Sequence, residues 1–222
     1  MRFVIGITGK ARAGKDTVAK ILLEMFPGAT KYAFADPLKE GLKVALGLTD
    51  EEVHGELKDT MNELYGKTNR EMLQTFGTDW GREMVNQDIW LLAATRKMPK
   101  GLVIVSDVRF ENEAKFVREN GVLLHILRNG LPEIKGVKGH TSEDGIELKP
   151  EDRLVFNDFS LKTLRDRVHG MFEEMTPPKL CQHDKDILTS TFNPLQVKAP
   201  DVFGQLLAEM IEGSLRNRST DN

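Results

Sequence analysis

The sequence predicts an α/β fold, a doubly wound parallel sheet of about five strands, on three observations. Short and nearly unbroken apolar runs recur at 3–7, 102–105, 122–127 and 154–156, as in strands buried on both faces. Stretches with apolar residues on one helical face separate several of these runs. A glycine-bearing turn joins the first run directly to the first such helix. Alternation of this kind builds a parallel sheet whose ligands gather at the carboxyl ends of the strands.

Taken in order, Phe3–Thr8 reads as the central strand, and Asp16–Phe26 as a helix with Val18, Ile21, Leu22 and Met25 on one face, stopped by Pro27-Gly28. Tyr32–Ala35 reads as the second strand, and 36–100 as a long, polar-rich helical region. Leu102–Val105 is the next strand, and Phe110–Asn120 a helix closed by a left-handed cap at Gly121. Val122–Leu127 and Leu154–Phe156 complete the sheet, with a glycine-bearing loop over 129–150 between them. A last helix places Leu161, Leu164, Val168 and Phe172 on one face. Pro177-Pro178 marks a break, so the main domain is expected over 1–175. A linker and an amphipathic helix after Pro200 then occupy 176–222.

The 222 residues suffice for one such domain with an appendage. A hydrophobic fraction of 40% and a charged fraction of 29% are those of ordinary soluble chains, and no apolar run approaches the roughly 18 residues of a membrane span. No membrane association and a cytoplasmic location are the expectation, in the host cell if the chain is phage-encoded. The net charge of −3 argues against direct binding to nucleic acid, which calls for a basic face. The single cysteine, Cys181, forms no internal disulfide and no zinc spacing.

The sharpest motif is Gly9-Lys10-Ala11-Arg12-Ala13-Gly14-Lys15-Asp16-Thr17, a GxxxxGK spacing between the first strand and its helix. Glycines let such a loop curl so that its N–H groups point at phosphate oxygens, while the helix N-terminus and the Lys15 ammonium add attraction. Gly9, Ala11, Ala13, Gly14, Lys15, Asp16 and Thr17 are therefore the candidate phosphate-binding residues. The usual pattern places a hydroxyl directly after the lysine; here Asp16 intervenes and Thr17 follows. Asp16 then either supports a metal or simply favours the helix N-terminus. Asp107, at the end of a buried strand, is a metal-side carboxylate or a helix cap. Arg109 either reaches a phosphate or pairs with Glu113 at i+4. Arg70 and Gln74, also four apart, share a helix face suited to a phosphate and a base edge.

These blocks together resemble the bacteriophage deoxynucleoside monophosphate kinases, of the P-loop nucleoside monophosphate kinase fold. The resemblance rests on GKDT (Gly14–Thr17), LQTFGTD (Leu73–Asp79) after Arg70, DVRFENE (Asp107–Glu113), GVLLHILR (Gly121–Arg128), HTSEDG (His140–Gly145) and NDFSL (Asn157–Leu161), in that order over about 1–174. It implies ATP as phosphate donor, Mg²⁺ held by Asp16, Thr17 or Asp107, and a deoxynucleoside monophosphate as acceptor within 36–100. Lys10, Asp36, Arg70, Gln74, Asp107 and Arg109 would serve the acceptor. It implies a lid over 129–150 that includes His140 and Glu143, with Arg128 and His140 reaching the phosphates, and Asn157 near the donor base. Lys15, Arg70, Arg109 and Arg128 would be the catalytic cations. Another small-molecule kinase of this fold, acting on dephospho-coenzyme A or phosphomevalonate, and a nucleotide-dependent binding module remain alternatives. A homodimer is left open.

Overall fold

The computed structural model describes residues 2–130 and 146–175. Five strands form one parallel sheet: β1 (Arg2–Thr8), β2 (Thr30–Tyr32), β5 (Gly101–Val105), β6 (Gly121–Leu127) and β7 (Arg153–Phe156), in the order β2-β5-β1-β6-β7. The first strand is central, as its apolar run implied.

Side chains alternate between the two faces because the strand period is two. Ile5, Leu102, Ile104 and Leu124 enter one core with Val18, Ile21 and Leu22 of α1 (Lys15–Met25) and Leu164, Val168 and Phe172 of α7 (Leu161–Met175). Val4, Val103, Val105 and Leu123 enter the other, with Ala94 of α5 (Ile89–Lys97) and Ala114 and Val117 of α6 (Glu111–Asn120). Helices thus cover both faces, which explains why the strands read as continuous apolar runs.

The structure departs from the expected elements in three places. β2 ends at Tyr32, because the N–H groups of Phe34 and Ala35 go to the Asp107 carboxylate instead of a ladder. Gly121 is not a left-handed cap: its φ of 167° is extended and it opens β6. A glycine is needed there because a Cβ would lie 1.9 Å from the Val4 carbonyl oxygen. The stretch expected to be wholly helical is broken. It runs through α2 (Asp36–Leu46), α3 (Asp50–Val53), a 3₁₀ turn (Glu56–Asp59) and a two-stranded antiparallel hairpin of β3 (Met61–Asn62) and β4 (Lys67–Thr68).

The second half of that insertion begins at α4 (Asn69–Gln74), which widens without interruption into a π-helical stretch, Thr75–Val85. Thr68 and Glu71 cap α4 reciprocally. Leu38, Leu42, Leu48, Val53 and Met72 form a small core of their own beneath this insertion. Among the described residues no helix is long and apolar enough to cross a membrane. The lid residues His140 and Glu143, the linker and the helix expected after Pro200 lie outside the described residues.

Candidate active site

The loop between β1 and α1 is curled by three residues of positive φ: Gly9 (147°), Arg12 (64°) and Gly14 (102°). Two of them also have no room for a side chain. A Cβ on Gly9 would lie 2.5 Å from the Ile126 carbonyl oxygen, and one on Gly14 2.3 Å from Asn157 Nδ2. Arg12 holds its left-handed backbone at a cost of about 1–3 kcal/mol, strain of the kind that collects at functional loops.

Lys15 Nζ donates to the carbonyls of Gly9 at 2.7 Å and Lys10 at 3.0 Å, so its ammonium folds back over the loop. Ala13 is buried and Ala11 half-buried, while the Lys10 side chain is exposed. Asn157 Nδ2 donates to the Ala13 carbonyl at 2.8 Å. The residue anticipated beside the donor base is therefore placed as a brace against the phosphate loop. Asp16 and Thr17 are exposed on the first turn of α1, with Asp16 3.6 Å from Lys31. Arg128, just past β6, is exposed.

A cleft of about 850 Å³, its open mouth included, lies between the insertion and the carboxyl end of β5. Arg70, Gln74, Asp107 and Arg109 all line it, drawn from two segments more than thirty residues apart. Arg70 makes a forked pair with Asp59, Nε–Oδ1 at 2.5 Å and Nη2–Oδ2 at 3.1 Å. Asp36 is not among the lining residues; its carboxylate accepts the Ala33 N–H at 3.0 Å at the start of α2.

Asp107 lies just past the end of β5 with both carboxylate oxygens hydrogen-bonded. Oδ1 accepts from the Phe34 N–H at 2.8 Å and Oδ2 from the Ala35 N–H at 2.9 Å, tying the end of β5 to the entry of α2. Burial pushes its pKa up, against those two N–H groups and the charges of Arg109 and Lys39. The expected pairing of Arg109 with Glu113 takes another form. Glu113 is buried, and its Oε2 accepts the backbone N–H groups of Arg109 at 2.8 Å and Phe110 at 3.2 Å. Its Oε1 is paired with Arg82.

Four charged lining residues were missed by sequence reasoning: Lys39, Lys58, Arg82 and Glu113. Glu113 ends the DVRFENE block without a role having been read for it there, the other three belong to no short motif, and Lys58 sits on a 3₁₀ turn whose place near Asp16 of the phosphate loop only the tertiary structure decides. Burial, then the positive charges of Lys39, Arg70 and Arg109, hold the Lys58 ammonium below the ordinary lysine range, while Asp16 of the loop opposes this. Crowded cations of this kind favour an anion. Leu38, Leu73 and Trp90 supply apolar wall to the same cleft, and Gln74 and Thr78 supply hydrogen-bonding groups. A charged end and an apolar, amide-bearing wall match the two halves of a nucleotide.

Comparison with known proteins agrees. The model of the deoxynucleotide monophosphate kinase family matches residues 3–68 and 54–168. A protein of Acanthamoeba polyphaga mimivirus named as a deoxynucleotide monophosphate kinase is 36% identical over 146 residues, 58% of this chain and 75% of its own. The deoxynucleoside-5′-monophosphate kinase of Escherichia phage T5 is 27% identical over 227 aligned positions, covering 72% of this chain and 91% of its own. Among solved structures, a gluconokinase of Sinorhizobium meliloti 1021 aligns over 86% of this chain and 100% of its own at 12% identity and a TM-score of 0.42, too distant a likeness to inform the site. With its phosphate loop, its cation-lined cleft and a family match across nearly all of the sheet, the chain is a nucleotide kinase and belongs to the deoxynucleotide monophosphate kinase family.

Proposed function

We propose that the protein transfers the γ-phosphoryl group of ATP to the 5′-phosphate of deoxynucleoside monophosphates, releasing ADP and a deoxynucleoside diphosphate. The observation that carries this reading is the group of four cations, Lys39, Lys58, Arg70 and Arg109, lining one cleft, with Lys58 in electrostatic reach of Asp16 on the phosphate loop. An acceptor phosphate held there lies beside the terminal phosphate of a nucleotide held by the loop.

An acceptor phosphate oxygen attacks the γ-phosphorus as the bond to the β,γ-bridging oxygen breaks, and ADP leaves with that electron pair. No covalent enzyme intermediate is required, so catalysis consists of alignment and charge neutralisation. Lys15 and the loop N–H groups hold the donor phosphates, and the four cations hold the acceptor and lower its repulsion from the donor. Gln74 and Thr78 face the base. Arg128 is a further catalytic cation in this proposal, and His140 and Glu143 belong to a proposed lid over 129–150 that keeps water from the transferred group.

Asp16 and Thr17 offer exposed hard oxygen donors at the first turn of α1, a set suited to Mg²⁺, and Asp107 is the third carboxylate or hydroxyl group proposed to serve the ion. Bound there, the ion would neutralise charge on the β and γ phosphate oxygens.

ADP release measured over the deoxynucleoside and ribonucleoside monophosphates tests the reading. Deoxynucleotide-dependent release is expected, and Lys15→Ala should lower it by about 10²–10³-fold while leaving the fold intact. A wild-type enzyme that releases ADP no faster with any deoxynucleoside monophosphate would overturn the reading.

A further inference from the structure

Arg82 and Glu113 are both buried, at 7% and 2% exposure, yet both reach the wall of the acceptor cleft. They come from different elements: Arg82 from the π-helical stretch and Glu113 from the first turn of α6. Glu113 divides its two oxygens. One is paired with Arg82, and the other accepts the backbone N–H groups of Arg109 and Phe110. Arg82 in turn donates from Nη1 to the Gln87 carbonyl at 2.8 Å, and its guanidinium carbon sits 3.7 Å from the centre of the Phe110 ring. One ion pair therefore holds the Arg109–Phe110 main chain, the Phe110 ring and the π-helical stretch together.

The elements joined in this way are the two walls of the cleft. Gln74, Thr78 and Arg82, four residues apart, line it from α4 and its π-helical continuation, and Asp107, Arg109 and Phe110 line it from the other side. Helix capping alone asks only that Glu113 accept the Phe110 N–H. It accounts for neither the Arg109 N–H bond nor the buried guanidinium. Fold stability does not account for them well either, since a buried ion pair is often replaced by apolar residues of similar volume without loss.

We infer that the Arg82–Glu113 pair is a positioning device that sets Arg109 and Phe110 at a fixed distance from Arg70, Gln74 and Thr78, and so aligns the acceptor phosphate with the transferred group. This rests on the phosphoryl-transfer reading above. Neither residue touches the reacting atoms. Their effect passes through the Arg109 main chain, and a misplacement of about 1 Å in such a group is enough to cost on the order of 100-fold in rate.

The test compares wild type with the double variant Arg82→Met/Glu113→Leu, which keeps the volume and removes both charges. Circular dichroism and thermal unfolding report the fold, steady-state kinetics separate the two substrates, and Trp90 fluorescence follows deoxynucleotide binding without ATP. A folded double variant is expected to lose about 100-fold in kcat/KM for the deoxynucleotide, with KM for ATP nearly unchanged. Should that variant not fold, Glu113→Gln, which keeps size and removes the carboxylate's charge, is expected to raise KM for the deoxynucleotide by about tenfold, again with KM for ATP nearly unchanged. A folded variant with wild-type deoxynucleotide kinetics overturns the inference, as does an equal rise in KM for both substrates. Failure of both variants to fold overturns it too, because the pair would then be a structural support. Wild-type protein inert toward every deoxynucleotide would instead remove the phosphoryl-transfer reading itself.

Discussion

Glu113 shows how one buried carboxyl can link local structure to pH. Burial, then the nearby charge of Asp107, pushes its pKa up to about 7 from the ordinary 4.5 of a glutamate, against Arg82 and the N–H groups of Arg109 and Phe110. A carboxyl raised by folding binds its proton more readily in the native chain than in the unfolded one. Its contribution to stability is therefore complete below about pH 4.5 and is lost as pH climbs through about 7. In urea titrations, the stability of wild type relative to Glu113→Gln should be greater near about pH 5 than near about pH 8. A difference that stays constant or grows with pH would show that burial does not govern this group. Read in sequence, Glu113 was only a neighbour of Arg109 on a helix. Its burial depends on Arg82, thirty-one positions earlier, and no local spacing could reveal that pairing.

Among the elements, α6 is held to the strand pair β6–β7 by polar groups as well as by its apolar face. Arg118 of α6 forks onto Asp152, Nε–Oδ1 at 2.9 Å and Nη2–Oδ2 at 2.8 Å, and Asp152 also accepts the Lys149 N–H and lies 3.0 Å from His125 Nε2 on β6. Burial alone would raise the Asp152 pKa, but Arg118, the Lys149 N–H and His125 together hold it below the usual range. The network fixes the chain just before β7. Asp152→Ala removes a partner from both Arg118 and His125 while Arg118 keeps Glu111 at 2.6 Å, and should cost about 1–3 kcal/mol in urea unfolding. A loss under about 1 kcal/mol would mean that water replaces the carboxylate at little cost. The helix face of α6 and the β6 run were legible in the sequence because apolar periodicity is a local property. The network was not, and neither was the hairpin within 36–100, whose strands of two residues each carry no pattern to read.

At the scale of the whole molecule, the cleft concentrates positive charge that no lining carboxylate fully offsets, since Asp107 and Glu113 are occupied by backbone N–H groups and Arg82. An anion bound there relieves that crowding in the folded chain alone. A deoxynucleoside monophosphate at 100 times its Kd should therefore stabilise the protein by about 2.7 kcal/mol, read as a rise in Tm. The rise should shrink with Arg70→Ala or Arg109→Ala, and a Tm indifferent to every deoxynucleotide would speak against an acceptor site in this cleft. By itself the sequence determined the parallel α/β sheet, its central strand and the phosphate loop, because each is written in short-range terms: apolar runs, helical periodicity, and glycines where the backbone must turn left-handed. Which wall Arg82 and Glu113 belong to, that Lys39 and Lys58 join Arg70 and Arg109, and that Asn157 braces the loop were decided only in three dimensions. Those contacts join residues far apart along the chain, and their strength comes from burial, which a linear sequence does not carry.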